Sequence, residues 1–520
     1  MCLQQVDLDV LTRTKDFIEA NDTESVLALF GVDPAIAEHC TFDHGAVLVF
    51  PSSISDIPDA LLAVGLVVGP AVPSVVVRGR LARRYGISGL TVQILRAPVG
   101  SREIEIFALE GAPDDVVAAE REHEHESHLA LAVTAPDQVV LTGLMAALEQ
   151  GGLVPDGGGY NAHVDCTVLY FRGAGRRLEL ISAGHHSAVL REHLRREPAH
   201  RLLELMTGAW QTKAIAVAAS MGIFDRLADR MSTRDIAKAV GADRDSLQRL
   251  LRYLASLGVV RSTCCGYTLT PMGALLRTDA RYSLHPLALL YGGAFYLSFG
   301  ALENSVRTGR ESFEYVFGMP HFDYFAANPS LGFNRAMAAS ASIFGQVAEV
   351  FDFSSAEHVV DVAGGNGELL KQVLHGAPHL RGTLFERPDV AALAAENLSE
   401  FADRCAVVAG DFTGGVPSGG DVYMLSRILH DWDDQQCQAI LKRCADSMPR
   451  DAQLLIVERL LPEDGSPSLA PAWDVHMLCN VGGRERTVSH YRNMLAEAGF
   501  TLTASHDLPL DFSLITSRPR

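Results

Sequence analysis

The 520-residue chain has no Cys-x-x-Cys pair. Its nine cysteines are odd in number and scattered, with Cys264 and Cys265 the only neighbours. That usage argues against a disulfide framework and predicts a reducing, cytoplasmic setting. A basic excess is missing as well: 44 Lys and Arg stand against 63 Asp and Glu, a net charge of -19. Proteins that neutralise phosphates carry a basic face, so nucleic acid is not an expected partner. The opening MCLQQVDLDVLTRTKDF lacks a basic region followed by an apolar core, and no signal peptide is expected. The longest apolar stretch, DALLAVGLVVGPAVPSVVV, is broken by glycines and prolines, so no membrane partner is expected either. What is present is 48% apolar and 21% charged residues, ample for packed cores. The length calls for more than one domain.

Two segments near the N-terminus share an order of elements. The first opens with HGAVLVF (44–50), continues through the helical SDIPDALLAVG, and reaches REIEIFAL (102–109) by way of two strand candidates. The second opens with HLALAV (128–133), continues through PDQVVLTGLMAALEQGG and LVPDGGGYN, and ends in CTVLYFRG and RRLELISA (176–183). Each reads strand, helix, strand, strand, strand. Alternate residues of a strand share a face. Ile104 and Ile106 therefore point one way in the first module, as do Leu178 and Leu180 in the second. Glu105 and Glu179 point the other way, and His44 and His128 head the two opening strands. Between the modules lies REHEHESHLALAV, in which His123 and His125 read as a solvated linker and His128 as the residue that counts.

This pattern resembles the vicinal oxygen chelate superfamily, the fold of glyoxalase I, whose paired βαβββ modules form a cupped sheet. The resemblance implies a divalent metal, one of Fe, Zn, Ni, Co or Mn, held by His44, Glu105, His128 and Glu179. The plainer reading is a module that keeps the cavity without the metal.

Further on, AEHVVDVAGGNGELLKQVL (356–374) is a buried strand, a glycine-rich turn and a helix start. Glycines admit close approach of a ligand to the backbone, and the helix start presents free N–H groups. GTLFERPDV ends a second strand at Glu386, placed to accept hydrogen bonds from ribose hydroxyls. AVVAGDF (406–412) sets Asp411 and Phe412 at a third strand end, suited to bond and stack an adenine. No basic residue stands in the loop to meet phosphates, which favours S-adenosylmethionine over a dinucleotide.

HDWDD within DVYMLSRILHDWDD (421–434), then LLIVERLLPEDG (454–465) and DVHMLCNVGGRERT (474–487), resemble the plant caffeate-type and bacterial small-molecule O-methyltransferases. That resemblance spreads the cofactor over Asp361, Gly364, Gly365, Gly367, Glu386, Asp411 and Phe412, with Ser426 and Arg427 near it. Ala363 stands where a glycine is usual, and Glu386 where aspartate is more common. It implies His430 as general base, oriented by Glu458 and Glu485, and an acceptor pocket from Phe295, Tyr296, Phe333, Met337, Met477 and Asn480. RMSTRDIAKAVGADRDSLQRLLRYLASLGVV followed by TLTPMG reads as a winged helix. Alone that could serve DNA, but the acidic balance and the domain behind it favour a homodimer.

The expected fold is thus multidomain. Residues 1–190 form an α+β domain of paired modules (40–112 and 124–186), 191–345 a mostly helical winged-helix dimerisation domain, and 346–520 an α/β Rossmann-like domain. The expected function is O-methylation of a small aromatic acceptor. Two alternatives stay open. One is metal-assisted C-methylation of an α-keto acid, with His430 and His476 as ligands and the N-terminal domain enolising, epimerising or binding the substrate. The other is a catalytically silent ligand-binding or regulatory protein.

Overall fold

The computed structural model describes residues 2–162, 164–227, 229–281, 283–338 and 344–520. The chain divides into two compact units, Met1–Thr207 and Gly208–Arg520.

In the first unit eight strands form one sheet: β1 (Cys40–Val49), β2 (Val72–Pro73), β3 (Thr91–Val99), β4 (Arg102–Glu110), β5 (His128–Val133), β6 (Val154–Asn161), β7 (Cys166–Gly173) and β8 (Arg176–Ala183). Their spatial order is β2-β3-β4-β1-β5-β8-β7-β6. Each half places its first and last strands side by side and parallel, β1 with β4 and β5 with β8. The halves join where β1 and β5 run antiparallel. Ile104, Ile106, Leu178 and Leu180 share one core with Leu11 and Ile18 of the helix Gln5–Ala20 and Leu144 and Leu148 of Gln138–Gln150. The latter helix starts at Asp137, whose side chain accepts from the Val140 N–H. Alternation then turns Glu105 and Glu179 to the opposite face.

Two features depart from the sequence reading. A helix, Val75–Tyr85, stands between β2 and β3, and its Val77 and Leu81 pack on Ala46, Leu48, Phe107 and Leu109 of the opposite sheet face. The run of β-branched residues at its start reads as strand, but Ser74 caps it and Gly86 ends it in the left-handed conformation. Nor is the stretch before β5 a solvated linker throughout. A helix covers Asp114–His123, and Glu120 and Glu126 beyond its apolar side are buried. Glu126 pairs with Arg80 at 2.7 Å and Arg84 at 2.8 Å, and Tyr85 Oη donates to Glu120 at 2.6 Å. His123 remains exposed. At the other end of the unit the helix Ser187–Arg195 sends the buried Val189 into the first core.

The second unit begins with helices Gly208–Ser220, Thr233–Val240 and Arg244–Ser256 and the hairpin β9 (Val260–Thr263) and β10 (Gly266–Leu269), a winged-helix order. A helical stretch from His285 to Ala338 leads to the sheet β11 (His358–Val362), β12 (Arg381–Glu386), β13 (Cys405–Ala409), β14 (Val422–Ser426), β15 (Gln453–Arg459), β16 (Phe500–Leu508) and β17 (Phe512–Pro519). The order is β13-β12-β11-β14-β15-β17-β16, parallel except for β17, which runs antiparallel to both of its neighbours β15 and β16. The order reverses between β11 and β14, and in such Rossmann-like sheets ligands bind outside the strand ends at that point.

Candidate functional sites

The glycine loop leaves β11 beneath that reversal. Asp361 is fully buried, and neither of its carboxylate oxygens has a hydrogen-bond partner among the described residues. Burial, then the charge of Glu386, pushes its carboxyl up to about 7. A side chain at Gly364 would collide with that carboxylate, which is why the turn needs glycine there. Gly365 and Gly367 have positive φ, and so does Ala363, at 55°, where a β-carbon is unfavourable. Glu386 ends β12 with Oε2 accepting from the Gly365 N–H and Oε1 from the Arg387 N–H, both at 2.8 Å. Asp411 is exposed and accepts from the Thr413 N–H, and Phe412 meets Trp432 edge to face at 5.9 Å. Ser426 ends β14 with its hydroxyl buried and, among the described residues, unpartnered. Arg427 follows at φ 56°, its Nη1 donating to the Met337 carbonyl at 3.0 Å. An orphan carboxylate, a loop that excludes a β-carbon and an acid at the next strand end suit a cationic, ribose-bearing cofactor such as S-adenosylmethionine.

One strand over, His430 lies in a short turn after β14. Its Nδ1 is 3.0 Å from Glu485 Oε1 and 3.3 Å from Glu458 Oε2. Glu458, at the end of β15, also accepts from the N–H groups of Ile428 and Leu429, each at 2.9 Å. Gly483 lets the GGRERT turn pass against the His430 backbone, since a side chain there would strike the His430 carbonyl. All three side chains are buried. Burial would lower the imidazole, but Glu458, Glu485 and Asp431 outweigh it and raise it to about 10. Burial raises Glu458 in turn.

Phe295, Phe333 and Met337 enter one aromatic group with Phe313, His321 and Phe325. Tyr296 does not join it: Lys213 of the first helix lies over its ring at 5.3 Å. Met477 and Asn480 are buried on the helix Ala470–Asn480 beside His476 and beside Trp473, a residue that the sequence motifs do not single out. Their spacing of three and four places them on one helix face, a signal that could have found Trp473.

His476 packs on Phe295 at 4.8 Å and Trp473 at 5.1 Å. Asn480 Nδ2 donates to the His476 carbonyl at 3.0 Å and faces its Nδ1 at 3.1 Å, while Ser298 Oγ donates to Asn480 Oδ1 at 2.6 Å. Turning the amide over would set Oδ1 against the carbonyl oxygen. Nδ1 is therefore the acceptor, and the neutral ring carries its proton on Nε2. A metal ligand needs a lone pair on that atom. The group of potential ligands around His430 consists of Glu458 and Glu485 and does not include His476.

In the first unit His44 and His128 approach to 5.6 Å between ring centres. His128 Nε2 is 2.8 Å from Glu179 Oε2, and His44 Nε2 is 3.7 Å from the same oxygen. The Nδ1 atoms are held from behind, His44 by Asp43 Oδ2 at 2.8 Å and His128 by the Glu126 carbonyl at 3.0 Å. Against the cost of burial, His128 and then His44 pull Glu179 down to about 2. These three residues bring ligand atoms within 4.8 Å of one another. Glu105 also lies 3.7 Å from His44, but its other oxygen accepts from Arg96 Nε at 2.7 Å.

The fold and loop of the second unit are those of a methyltransferase. The family profile described as the O-methyltransferase dimerisation domain matches residues 203–279, and the O-methyltransferase domain matches 299–501. The 3-amino-4-hydroxybenzoate 4-O-methyltransferase of Streptomyces cremeus is 45% identical over 328 residues, 62% of this chain and 90% of that one. The crystal structure of LaPhzM superposes with a TM-score of 0.59 at 38% identity, covering 62% of this chain and 99% of that one. Human N-acetylserotonin methyltransferase, solved with S-adenosylmethionine, gives 0.59 at 28% identity over 62% and 98%. The chain belongs to the S-adenosylmethionine-dependent O-methyltransferase family that carries a dimerisation domain.

Proposed function

We propose that the protein methylates a hydroxyl of a small aromatic acceptor, with His430 as general base and a homodimer as the working form. The observation that carries this reading is the buried imidazole held at Nδ1 by two carboxylates, which leaves Nε2 for the acceptor. S-adenosylmethionine, held by Asp361, the Gly364–Gly367 turn and Glu386 with Asp411, Phe412, Ser426 and Arg427 around it, supplies an electrophilic methyl group. The chain's own work is positioning and proton transfer. The acceptor hydroxyl gives its proton to His430 Nε2, and Glu458 and Glu485 stabilise the imidazolium that forms. An imidazole raised to about 10 is protonated near neutral pH, so the reactive pair is reached once one proton leaves to solvent, from the ring or from a phenol of about the same value, and the transfer within that pair is close to balanced. An acceptor that arrives as phenolate meets the imidazolium, and the pair holds one proton either way. The Streptomyces cremeus relative is named for an amino-hydroxybenzoate, which supports an acceptor of that size. Incubation with S-adenosylmethionine and a panel of hydroxybenzoates, naphthols and aryl pyruvates tests this. Methyl ethers are expected, and turnover confined to the α-carbon of the pyruvates would sink it. The Nε2–H tautomer of His476 supports the O-methylation reading over the metal-assisted one.

For Met1–Thr207 we propose a vicinal oxygen chelate-type domain that binds one divalent metal through His44, His128 and Glu179. Its sheet order, with paired modules meeting at β1 and β5, and its three convergent donors support this. Glu105 would stand beside the metal, engaged by Arg96. A divalent ion there supplies a Lewis acid for an enol or enolate oxygen.

A further inference from the structure

Arg459 is the last residue of β15, next to Glu458. It is 5% exposed, and its guanidinium lies between the rings of Trp473 at 4.0 Å and Phe512 at 3.8 Å. Among the described residues its Nε has no hydrogen-bond partner, and no carboxylate reaches it at ion-pair distance. Buried cations in folded proteins are paired or bonded, because the lost hydration must be replaced. Here both faces are covered by aromatic rings, so only the N–H edge is open to a partner, and that partner must lie in the guanidinium plane.

The surroundings adjoin Phe295, Met477 and Asn480, residues expected to line the acceptor pocket. Trp473 touches Tyr291 at 5.8 Å and His476 at 5.1 Å, and Tyr291 touches Phe295 at 5.6 Å. His476 brings a second donor, the Nε2–H fixed by Asn480 and Ser298, for which no acceptor is found among the described residues.

We propose that the acceptor is an aromatic hydroxy acid whose carboxylate is received edge-on by Arg459, with His476 Nε2–H as the neighbouring donor. Its planar body lies among Tyr291, Phe295 and Trp473, and its hydroxyl is presented to His430. Ser298 and Asn480 are positioning residues that act through His476. This rests on the pocket assigned to the acceptor above.

Binding separates it from the methyl-transfer reading. Calorimetry on the full chain, saturated with S-adenosylhomocysteine, compares 1-hydroxy-2-naphthoate with 1-naphthol. The acid is expected to bind about 100-fold more tightly. Arg459→Met should abolish that preference without changing naphthol affinity, and Arg459→Lys should restore part of it. His476→Phe should cut it about tenfold, again sparing naphthol. Equal affinities in the unmodified protein would overturn the proposal. So would an equal loss for both probes in Arg459→Lys and His476→Phe. An intact acid preference with no methyl transfer to any acceptor would sink the O-methylation reading and leave the carboxylate site standing.

Discussion

Two buried clusters of imidazole and carboxylate occur among the described residues, and they differ in where the carboxylate sits. In the first unit the Nδ1 atoms of His44 and His128 are satisfied from behind, and both Nε2 atoms face Glu179. In the second unit the carboxylates of Glu458 and Glu485 stand behind His430 at Nδ1, and among the described residues its Nε2 has no carboxylate nearer than Asp431 at 3.7 Å. Donors that converge build a place for a cation. Carboxylates behind a single ring build a base that can hold a proton. On the two proposals above, the same residue types serve two chemistries, and the second-nitrogen partner decides which.

The largest effect should come from the base. His430→Asn keeps size and some hydrogen bonding but cannot take a proton, and kcat should fall about 10²- to 10⁴-fold. Cofactor binding and the metal content of the first unit should not move. A fall in metal content alongside the lost activity would break the comparison, because the two clusters would then share one ion.

The reciprocal variant is His128→Ala. Elemental analysis of the purified protein is expected to show the divalent metal falling from one per chain to a small fraction, with methyl transfer to a simple phenol unchanged. Retained metal would mean that the convergent donors of the first unit are not its ligands.

Much of this contrast is legible in the sequence, for a definite reason. Strand parity ties Glu105 and Glu179 to the face opposite Ile104 and Leu178, and it needs no tertiary information. The HDWDD and GGRERT stretches point to His430 and Glu485 only through the family that they resemble. What parity cannot see is a partner from elsewhere: Arg96 on Glu105, or Arg80 and Arg84 on Glu126. The helix Val75–Tyr85 was hidden because its β-branched start favours strand locally, and its packing on Phe107 and Leu109 overrides that preference. The residues expected around the acceptor do not all come together. Phe295 faces His476, while the adjacent Tyr296 turns to Lys213, a difference set by helix rotation. Arg459 carries no local signal at all, since its meaning comes from Trp473 and Phe512 closing over it.

Two buried carboxylates sharpen the comparison. Glu179 is pulled down to about 2 by two imidazoles, whereas Asp361, with no cation bonded to it, is pushed up to about 7 by burial. Between its ordinary 3.8 and about 7, Asp361 binds more proton in the folded than in the unfolded chain. Its contribution to stability therefore falls as pH rises through that window. A sulfonium-bearing cofactor favours the ionised form. Affinity for S-adenosylmethionine should rise about tenfold per pH unit up to about 7 and then level off, measured by calorimetry. Asp361→Asn should flatten the profile. A profile that stays steep in that variant would assign the proton to another group.

The smallest effect tests the groups behind the rings. Asp43 is half exposed, with a side chain 48% accessible, yet among the described residues it is the only side chain bonded to Nδ1 of His44. Partners of this kind fix the ring and raise its donor strength, and their loss typically weakens a metal site about 10-fold to 100-fold. Solvent can replace part of an exposed partner, so Asp43→Ala should sit near the tenfold end, read as a shift in zinc competition against a chelator. His128 is held by a backbone carbonyl, which no substitution removes, so that half of the site keeps its geometry. Glu485→Gln, its counterpart in the second unit, removes a fully buried charge. The larger penalty expected there follows from burial alone, because no water can stand in for the missing carboxylate.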